Sequence, residues 1–124
     1  MRPDQIQPEM YEQQLLDKKA ELNRLMTDLA LPEMEVYASQ STHYRMRAEF
    51  RIWHEGDDLY YAMFDSADPR TPIRTDQFLA ASHLINELMP KLIDAVRDVP
   101  VLRHKLFQVD FLTTTTGEAL ISLL

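Results

Sequence analysis

The stretch STHYRMRAEFRIWHEGDDLYYAMFD, residues 41–65, decides the fold of this chain. Its side chains alternate in character from position 45 to position 54, and a period of two is typical of a β-strand with one buried face. The face expected in the core is apolar and holds Met46, Ala48, Phe50 and Ile52. The opposite face is charged or aromatic and holds Arg45, Arg47, Glu49, Arg51 and Trp53. We therefore predict a central strand over about residues 44–54.

The charged face of this strand gives the first functional hypothesis. Guanidinium groups bind phosphates and aromatic rings stack on bases. Alternate residues on one strand face stand about 7 Å apart, because the rise is ~3.3 Å per residue. This row of guanidinium and aromatic side chains is suited to binding RNA. The alternative is a solvated strand face whose arginines form ion pairs with nearby carboxylates, as is common on protein surfaces.

Further strands and a loop follow the central strand. Residues 55–58 predict a turn around Gly56, and residues 59–64 predict a return strand rich in aromatic side chains. Residues 65–72 are expected to form a loop, because Pro69 and Pro72 cannot donate backbone hydrogen bonds. Near the end of the chain we predict a strand over residues 103–113, a hairpin turn over 114–117 and a last strand from residue 118 to residue 124.

Helical periodicity occurs in two places. Residues 8–29 carry leucines at three- and four-residue spacing and predict an N-terminal helix, with a coiled-coil seam as the alternative to packing on its own domain. A second helix is expected to begin at a Thr75 or Asp76 cap and to end before Pro100, with a bend at Pro90. The predicted fold class is therefore α+β, an antiparallel β-β-α-β-β sheet with helices packed on one face, preceded by the N-terminal helix.

Composition excludes several kinds of site. The sequence has 124 residues, no cysteine and only two glycines, so it holds neither a thiolate nucleophile nor a glycine-rich nucleotide loop. No histidine spacing predicts a metal site and no carboxylate pair predicts acid–base catalysis, so we expect no catalytic residue, no metal and no cofactor in this chain. No apolar run is long enough to span a bilayer and no export signal is visible, which favours the cytoplasm and no membrane partner.

Charge is unevenly distributed along the chain. The net charge of -7 opposes binding to phosphates, but residues 41–54 contain three arginines against one glutamate. A second basic cluster, Arg103, His104 and Lys105, is followed by Phe107. An exposed Phe107 would stack on a base in irregular RNA, whereas a phenylalanine in a strand is more often part of the core.

Four segments carry a resemblance to a known family. They are STHYRMRAEFRIWHEGDDLY at 41–60, DVPVLRHKLFQVDFLTT at 98–114, YEQQL at 11–15 and FLAASHLINELM at 78–89. Together they resemble the N-terminal portion of bacterial tRNA (uracil-5-)-methyltransferases. The apolar ending ALISLL also predicts that the chain is the front piece of a longer protein, unless that strand is simply paired inside the sheet.

The resemblance implies an enzyme activity to which this chain would contribute RNA binding and not catalytic residues. Such enzymes methylate carbon 5 of the T-loop uridine of tRNA with S-adenosylmethionine, using a cysteine nucleophile, a glutamate and a Rossmann-like domain. That catalytic domain would be a missing partner, and residues 1–124 would help to bind the tRNA T-arm. By resemblance, Phe107 would stack in the reorganised loop and Arg51 would contact the target region. The strand pattern adds Arg45, Arg47, Trp53, His104 and Lys105 as RNA-binding candidates.

A second hypothesis belongs to a different functional class. The chain could be a non-catalytic protein-interaction module that acts through its N-terminal helix and an open sheet edge. Exposed strand edges would then also allow self-association. This hypothesis predicts dimers or a protein ligand, and no RNA binding that depends on salt.

Overall fold

The computed structural model describes residues 2–124, which form two compact units. Residues 7–41 contain a 3₁₀ turn, Pro8–Met10, followed by helix α1, Tyr11–Leu25. Residues 2–6 and 42–124 contain the sheet and two further helices. The strands are β1 Arg47–Glu55, β2 Asp58–Asp65, β3 Asp68–Arg74, β4 Gln108–Thr113 and β5 Ala119–Leu123, and the helices are α2 His83–Arg97 and α3 Pro100–Arg103.

The five strands form one antiparallel sheet in the order β3-β2-β1-β4-β5. The α+β class, the central strand and the hairpin turn over 114–117 are confirmed. As the alternation predicts, Ala48, Phe50 and Ile52 are buried, while Arg47, Glu49, Arg51 and Trp53 are exposed. β1 is the middle strand of the sheet and pairs antiparallel with β2 on one side and β4 on the other.

The core lies between one face of the sheet and α2. Phe50 is only 1% exposed, and its ring centroid lies 5.4 Å from that of Tyr61, 5.9 Å from that of Phe78 and 6.0 Å from that of Phe111. The Tyr61 hydroxyl donates a 2.7 Å hydrogen bond to the carbonyl of Met89 in α2. Burial raises the pKa of Tyr61 well above its ordinary value, so this hydroxyl stays protonated.

Helix α2 begins later than predicted. Its N-cap is Ser82, whose hydroxyl accepts a hydrogen bond from Ile85 N–H, and not Thr75 or Asp76. The helix continues through Pro90. Proline cannot donate to the carbonyl four residues earlier, and here the side chain of Gln77 donates to that Asn86 carbonyl at 3.1 Å. A side chain thus replaces the missing backbone donor.

Two expectations about the strands were wrong. Residues 68–74 form β3 and not a loop, because this strand lies at the sheet edge, where Pro69 and Pro72 can occupy positions that need no donor. β4 begins at Gln108 and not at residue 103, because Pro100 opens the short helix α3 instead.

The unit formed by residues 7–41 is built around α1, which is shorter than predicted. The helix ends at Leu25, and none of its residues is buried. The backbone N–H of Ser39 donates to the Tyr11 hydroxyl at 2.7 Å, which attaches the following extended segment to the helix. Leu22 and Leu25 of the predicted apolar stripe are 45% and 65% exposed, whereas Leu15 is half-buried.

Candidate nucleic-acid interface

Two of the predicted RNA-binding residues meet on one aromatic ring. The guanidinium carbon of Arg51 lies 6.0 Å from the Phe64 ring centroid, and Trp53 packs edge-on against the same ring at 5.9 Å. The register of β1 and β2 explains this arrangement, because Arg51 lies opposite Ala62 and Trp53 opposite Tyr60 on the face that α2 does not cover. We call Arg51, Trp53 and Phe64 the aromatic–arginine group.

The arginines of the sheet differ in how their charge is neutralised. Arg47 forms an ion pair with Glu49, and Arg74 lies 3.1 Å from Asp76 and 3.5 Å from Asp58. Arg51 forms no ion pair with any residue in the range 2–124. The solvated-face alternative therefore describes Arg47 but not Arg51, whose charge remains available to a ligand.

Arg45 lies apart from this group. It precedes β1 and forms an isolated bridge with Ala81. Its guanidinium carbon is 5.9 Å from the ring centroid of Phe78, a core residue, and not near Phe64. The structure therefore does not bring Arg45 together with Arg51 and Trp53.

The second predicted cluster surrounds a concave depression. His104, Lys105 and Phe107 line a volume of about 330 Å³ together with His54, Gly56, Pro100 and Arg103. Phe107 is 61% exposed, so it is not a core residue. Lys105 adopts φ 57°, a left-handed conformation that is uncommon for lysine. We call residues 103–107 the projecting segment.

Backbone hydrogen bonds place the projecting segment beside β1. The Ile52 N–H donates to the Phe107 carbonyl at 2.8 Å, and the Phe107 N–H donates to the Leu124 carbonyl at 2.8 Å. The next residue, Gln108, lies opposite Arg51 in the sheet. The second basic cluster, which precedes β4, therefore lies beside β1, although the two clusters are far apart along the chain.

Carboxylates near the first hairpin are already engaged. The pKa of Asp58 is below its ordinary value, chiefly because the Leu59 N–H donates to its carboxylate at 2.9 Å, with Arg97 and Arg74 adding to the effect. Glu49 pairs with Arg47, as above. Two carboxylates of these strands, Glu49 and Asp58, are thus paired with arginines other than Arg51.

Phe64 is the site residue that sequence reasoning missed. The hairpin turn at Gly56 would have placed Tyr60, Ala62 and Phe64 on the same face as Trp53 and Arg51, because paired residues in an antiparallel ladder share a face. The alternation of β2 alone does not reveal this face, since Tyr60 and Ala62 are buried as well as Leu59 and Tyr61.

Residues 2–124 offer no cluster of metal-ligating side chains. No group of three or more histidine, cysteine, aspartate or glutamate side chains could hold a metal ion in that part of the chain. None of the helices described has the length and apolar character needed to cross a membrane.

Comparison with known proteins assigns the chain to a family. The family model described as tRNA (Uracil-5-)-methyltransferase matches residues 10–124. The chain is 89% identical to a tRNA/tmRNA (uracil-C(5))-methyltransferase of Marinomonas sp. (strain MWYL1) over 124 residues, which are all of this chain and 34% of that protein. It is 59% identical to a tRNA/tmRNA (uracil-C(5))-methyltransferase of Shewanella loihica, again over all of this chain and 34% of that protein. It is also 59% identical over 119 residues to a protein of the same description from Vibrio cholerae, which covers 96% of this chain and 32% of that protein. The chain spans about a third of the length of the curated relatives it matches, and it belongs to the tRNA (uracil-5-)-methyltransferase family.

Proposed function

We propose that this chain is the N-terminal, RNA-binding portion of an S-adenosylmethionine-dependent tRNA (uracil-5-)-methyltransferase, and that it helps to bind the T-arm for methylation of the T-loop uridine. One observation carries the proposal. Arg51, which has no carboxylate partner, lies with Trp53 on the Phe64 ring, and the adjacent strand begins beside the exposed Phe107. The relatives, which are named tRNA/tmRNA (uracil-C(5))-methyltransferases, support RNA as the ligand.

The chemistry of these side chains suits a folded RNA loop. Sequence-specific proteins bind RNA mostly at unpaired loops, where unstacked bases pack on aromatic side chains and phosphates pair with cations. A base that leaves its stack for methylation also needs protein groups that compensate for the lost stacking. Phe107 and Trp53 offer exposed rings, and Arg51 and Lys105 offer charge.

The residues described do not fit a methyl-donor site. Gly56 and Gly117 are the only glycines, and both occupy turns between paired strands with positive φ, 61° and 94°. A donor-binding loop needs glycines between a strand and a helix. Because the sequence also lacks cysteine, we propose that S-adenosylmethionine and the bond-forming residues belong to the part of the methyltransferase that this chain does not span. We also propose that the complete methyltransferase acts in the cytoplasm.

Replacing Arg51 tests the proposal. Arg51→Ala should weaken binding of a T-arm stem-loop RNA about 5-fold at low salt and reduce the slope of log affinity against log salt by about 1, because one phosphate contact is lost. Fluorescence anisotropy at several salt concentrations measures both quantities. In the complete methyltransferase, T-arm methylation should fall in parallel.

The matched control is Arg24→Ala, which removes an exposed arginine of α1 that pairs with Glu21 at 2.7 Å. This variant should keep wild-type affinity and slope. If Arg51→Ala behaves as Arg24→Ala does, Arg51 does not contact RNA.

The exposed stripe of α1 supports the protein-interaction module as a second candidate. Leu22 and Leu25 of α1 are 45% and 65% exposed, Leu29 beyond the helix is 57% exposed, and β5 presents an edge without a charged residue. Under this hypothesis, sedimentation would show dimers that Leu25→Lys disrupts, and the stem-loop would not bind at any salt concentration. The RNA titration therefore separates the two functions.

A further inference from the structure

Arg103 is held by backbone carbonyls and not by acids. Its guanidinium donates to the carbonyl of Asp57, in the turn between β1 and β2, at 2.7 Å, and to the carbonyl of Arg97, the last residue of α2, at 3.2 Å. A planar guanidinium can bridge two fixed acceptors in this way, whereas the single ammonium of lysine cannot reproduce the fork. Arg103, the first residue of the projecting segment, therefore ties that segment to the turn between β1 and β2 and to the end of α2.

The rest of the projecting segment is fixed at several further points. The His54 ring donates from Nε2 to the Leu106 carbonyl at 2.8 Å, which assigns the proton to that nitrogen, and the Leu106 side chain is buried at 4% exposure. Lys105, between these anchors, adopts its left-handed conformation. Backbone strain of this kind persists only where the surrounding structure determines it, and it is common at ligand sites.

These anchors leave the side chains of Lys105 and Phe107 directed to solvent. Both residues are exposed, and the Lys105 ammonium forms no ion pair within residues 2–124. A rigid segment that presents one cation and one ring matches the phosphate and base of a single unpaired nucleotide.

Resting on the proposed function, we propose that Arg103 is a positioning residue that holds Lys105 and Phe107 in place for one unpaired nucleotide of the RNA, and that it is not itself a phosphate contact. The depression lined by His54, Gly56 and His104 would receive that nucleotide. The sequence alone suggests the opposite role, because Arg103 belongs to a basic cluster.

The charge-preserving variant Arg103→Lys separates the two roles. With the wild-type 124-residue chain and a T-arm stem-loop RNA, we expect Arg103→Lys to weaken binding about 5-fold or more, close to the effect of Phe107→Ala. The slope of log affinity against log salt should fall by about 1, because the displaced Lys105 loses its phosphate although residue 103 keeps its charge. In the Phe107→Ala background the same substitution should have a smaller effect than in the wild type, because the part of its loss that acts through the Phe107 ring is already gone. Wild-type affinity for Arg103→Lys, or effects that add fully with Phe107→Ala, would overturn the proposal.

A second variant and a second measurement keep the test decisive. If Arg103→Lys does not fold, His54→Ala removes the donor to the Leu106 carbonyl, a different anchor of the same segment, and should show the same coupling to Phe107. Amide hydrogen exchange at Phe107, whose N–H bonds to Leu124, should accelerate in either variant without RNA. If the wild-type chain does not bind the stem-loop, the proposed function fails, and unchanged exchange at Phe107 would separately show that Arg103 does not hold the segment.

Discussion

Phe50→Ala should lower the free energy of unfolding by about 3–5 kcal/mol, the usual loss for a buried phenylalanine truncated to alanine. Phe50 is 1% exposed, is contacted by the rings of Tyr61, Phe78 and Phe111, and lies on the central strand. The cavity would open between both neighbouring strands and α2, so little of it can close by local adjustment. Since domains are stable by only about 5–15 kcal/mol, much of the folded population should be lost.

Urea unfolding monitored by circular dichroism measures this change. The matched control is the same substitution at an exposed position, Phe107→Ala, which should change stability by about 0.5 kcal/mol or less. A loss below about 1 kcal/mol for Phe50→Ala would contradict the position of Phe50 at the centre of the core.

Phe107→Ala should weaken RNA binding. Losing a base stacked on an aromatic ring costs about 1–3 kcal/mol, which corresponds to ~5- to 150-fold in affinity at 1.4 kcal/mol per decade. The salt slope should remain that of the wild type, because no charge is removed. Titration of the T-arm stem-loop RNA, with the same stem closed as a plain duplex for comparison, measures the effect.

The control for this prediction is Tyr37→Ala, which removes an 85% exposed aromatic side chain from the unit formed by residues 7–41. It should leave affinity unchanged. If Phe107→Ala binds the stem-loop as tightly as Tyr37→Ala, stacking on Phe107 is not part of RNA recognition.

The period of two in residues 45–54 was sufficient to predict the central strand, because burial on one face and charge on the other leave little ambiguity. β3 was not predictable in the same way. Pro69 and Pro72 argue against a strand in general, and only the sheet order, with β3 at an edge, makes them acceptable. Sheet order depends on long-range pairing, which local pattern does not contain.

The start of α2 was missed because several residues could cap it. Thr75 was a reasonable candidate, but its hydroxyl donates to the carbonyl of Ile73 at the end of β3. Asp76 instead engages Arg74. Ser82, the residue that caps α2, also bonds the Thr113 hydroxyl at 2.7 Å, and this contact comes from β4, far along the chain.

The candidate site was predictable in residue type but not in arrangement. The alternation of β1 identified Arg47, Arg51 and Trp53 as exposed, and the basic cluster identified His104, Lys105 and Phe107. Which arginines pair with a carboxylate depends on where Glu49, Asp58 and Asp76 lie in space. The separate position of Arg45 likewise follows from its bridge to Ala81, which no local pattern predicts.

Trp53 offers the most direct measurement of RNA contact with this face. It is the only tryptophan in the sequence, is 37% exposed and packs on Phe64 beside Arg51. Tryptophan emission of the 124-residue chain, measured with and without T-arm stem-loop RNA and with acrylamide as quencher, therefore reports on the aromatic–arginine group alone. We predict that saturating RNA changes the emission and lowers quenching by acrylamide. Bound RNA, shown by anisotropy, with emission and quenching of Trp53 both unchanged would contradict the assignment of this face to RNA.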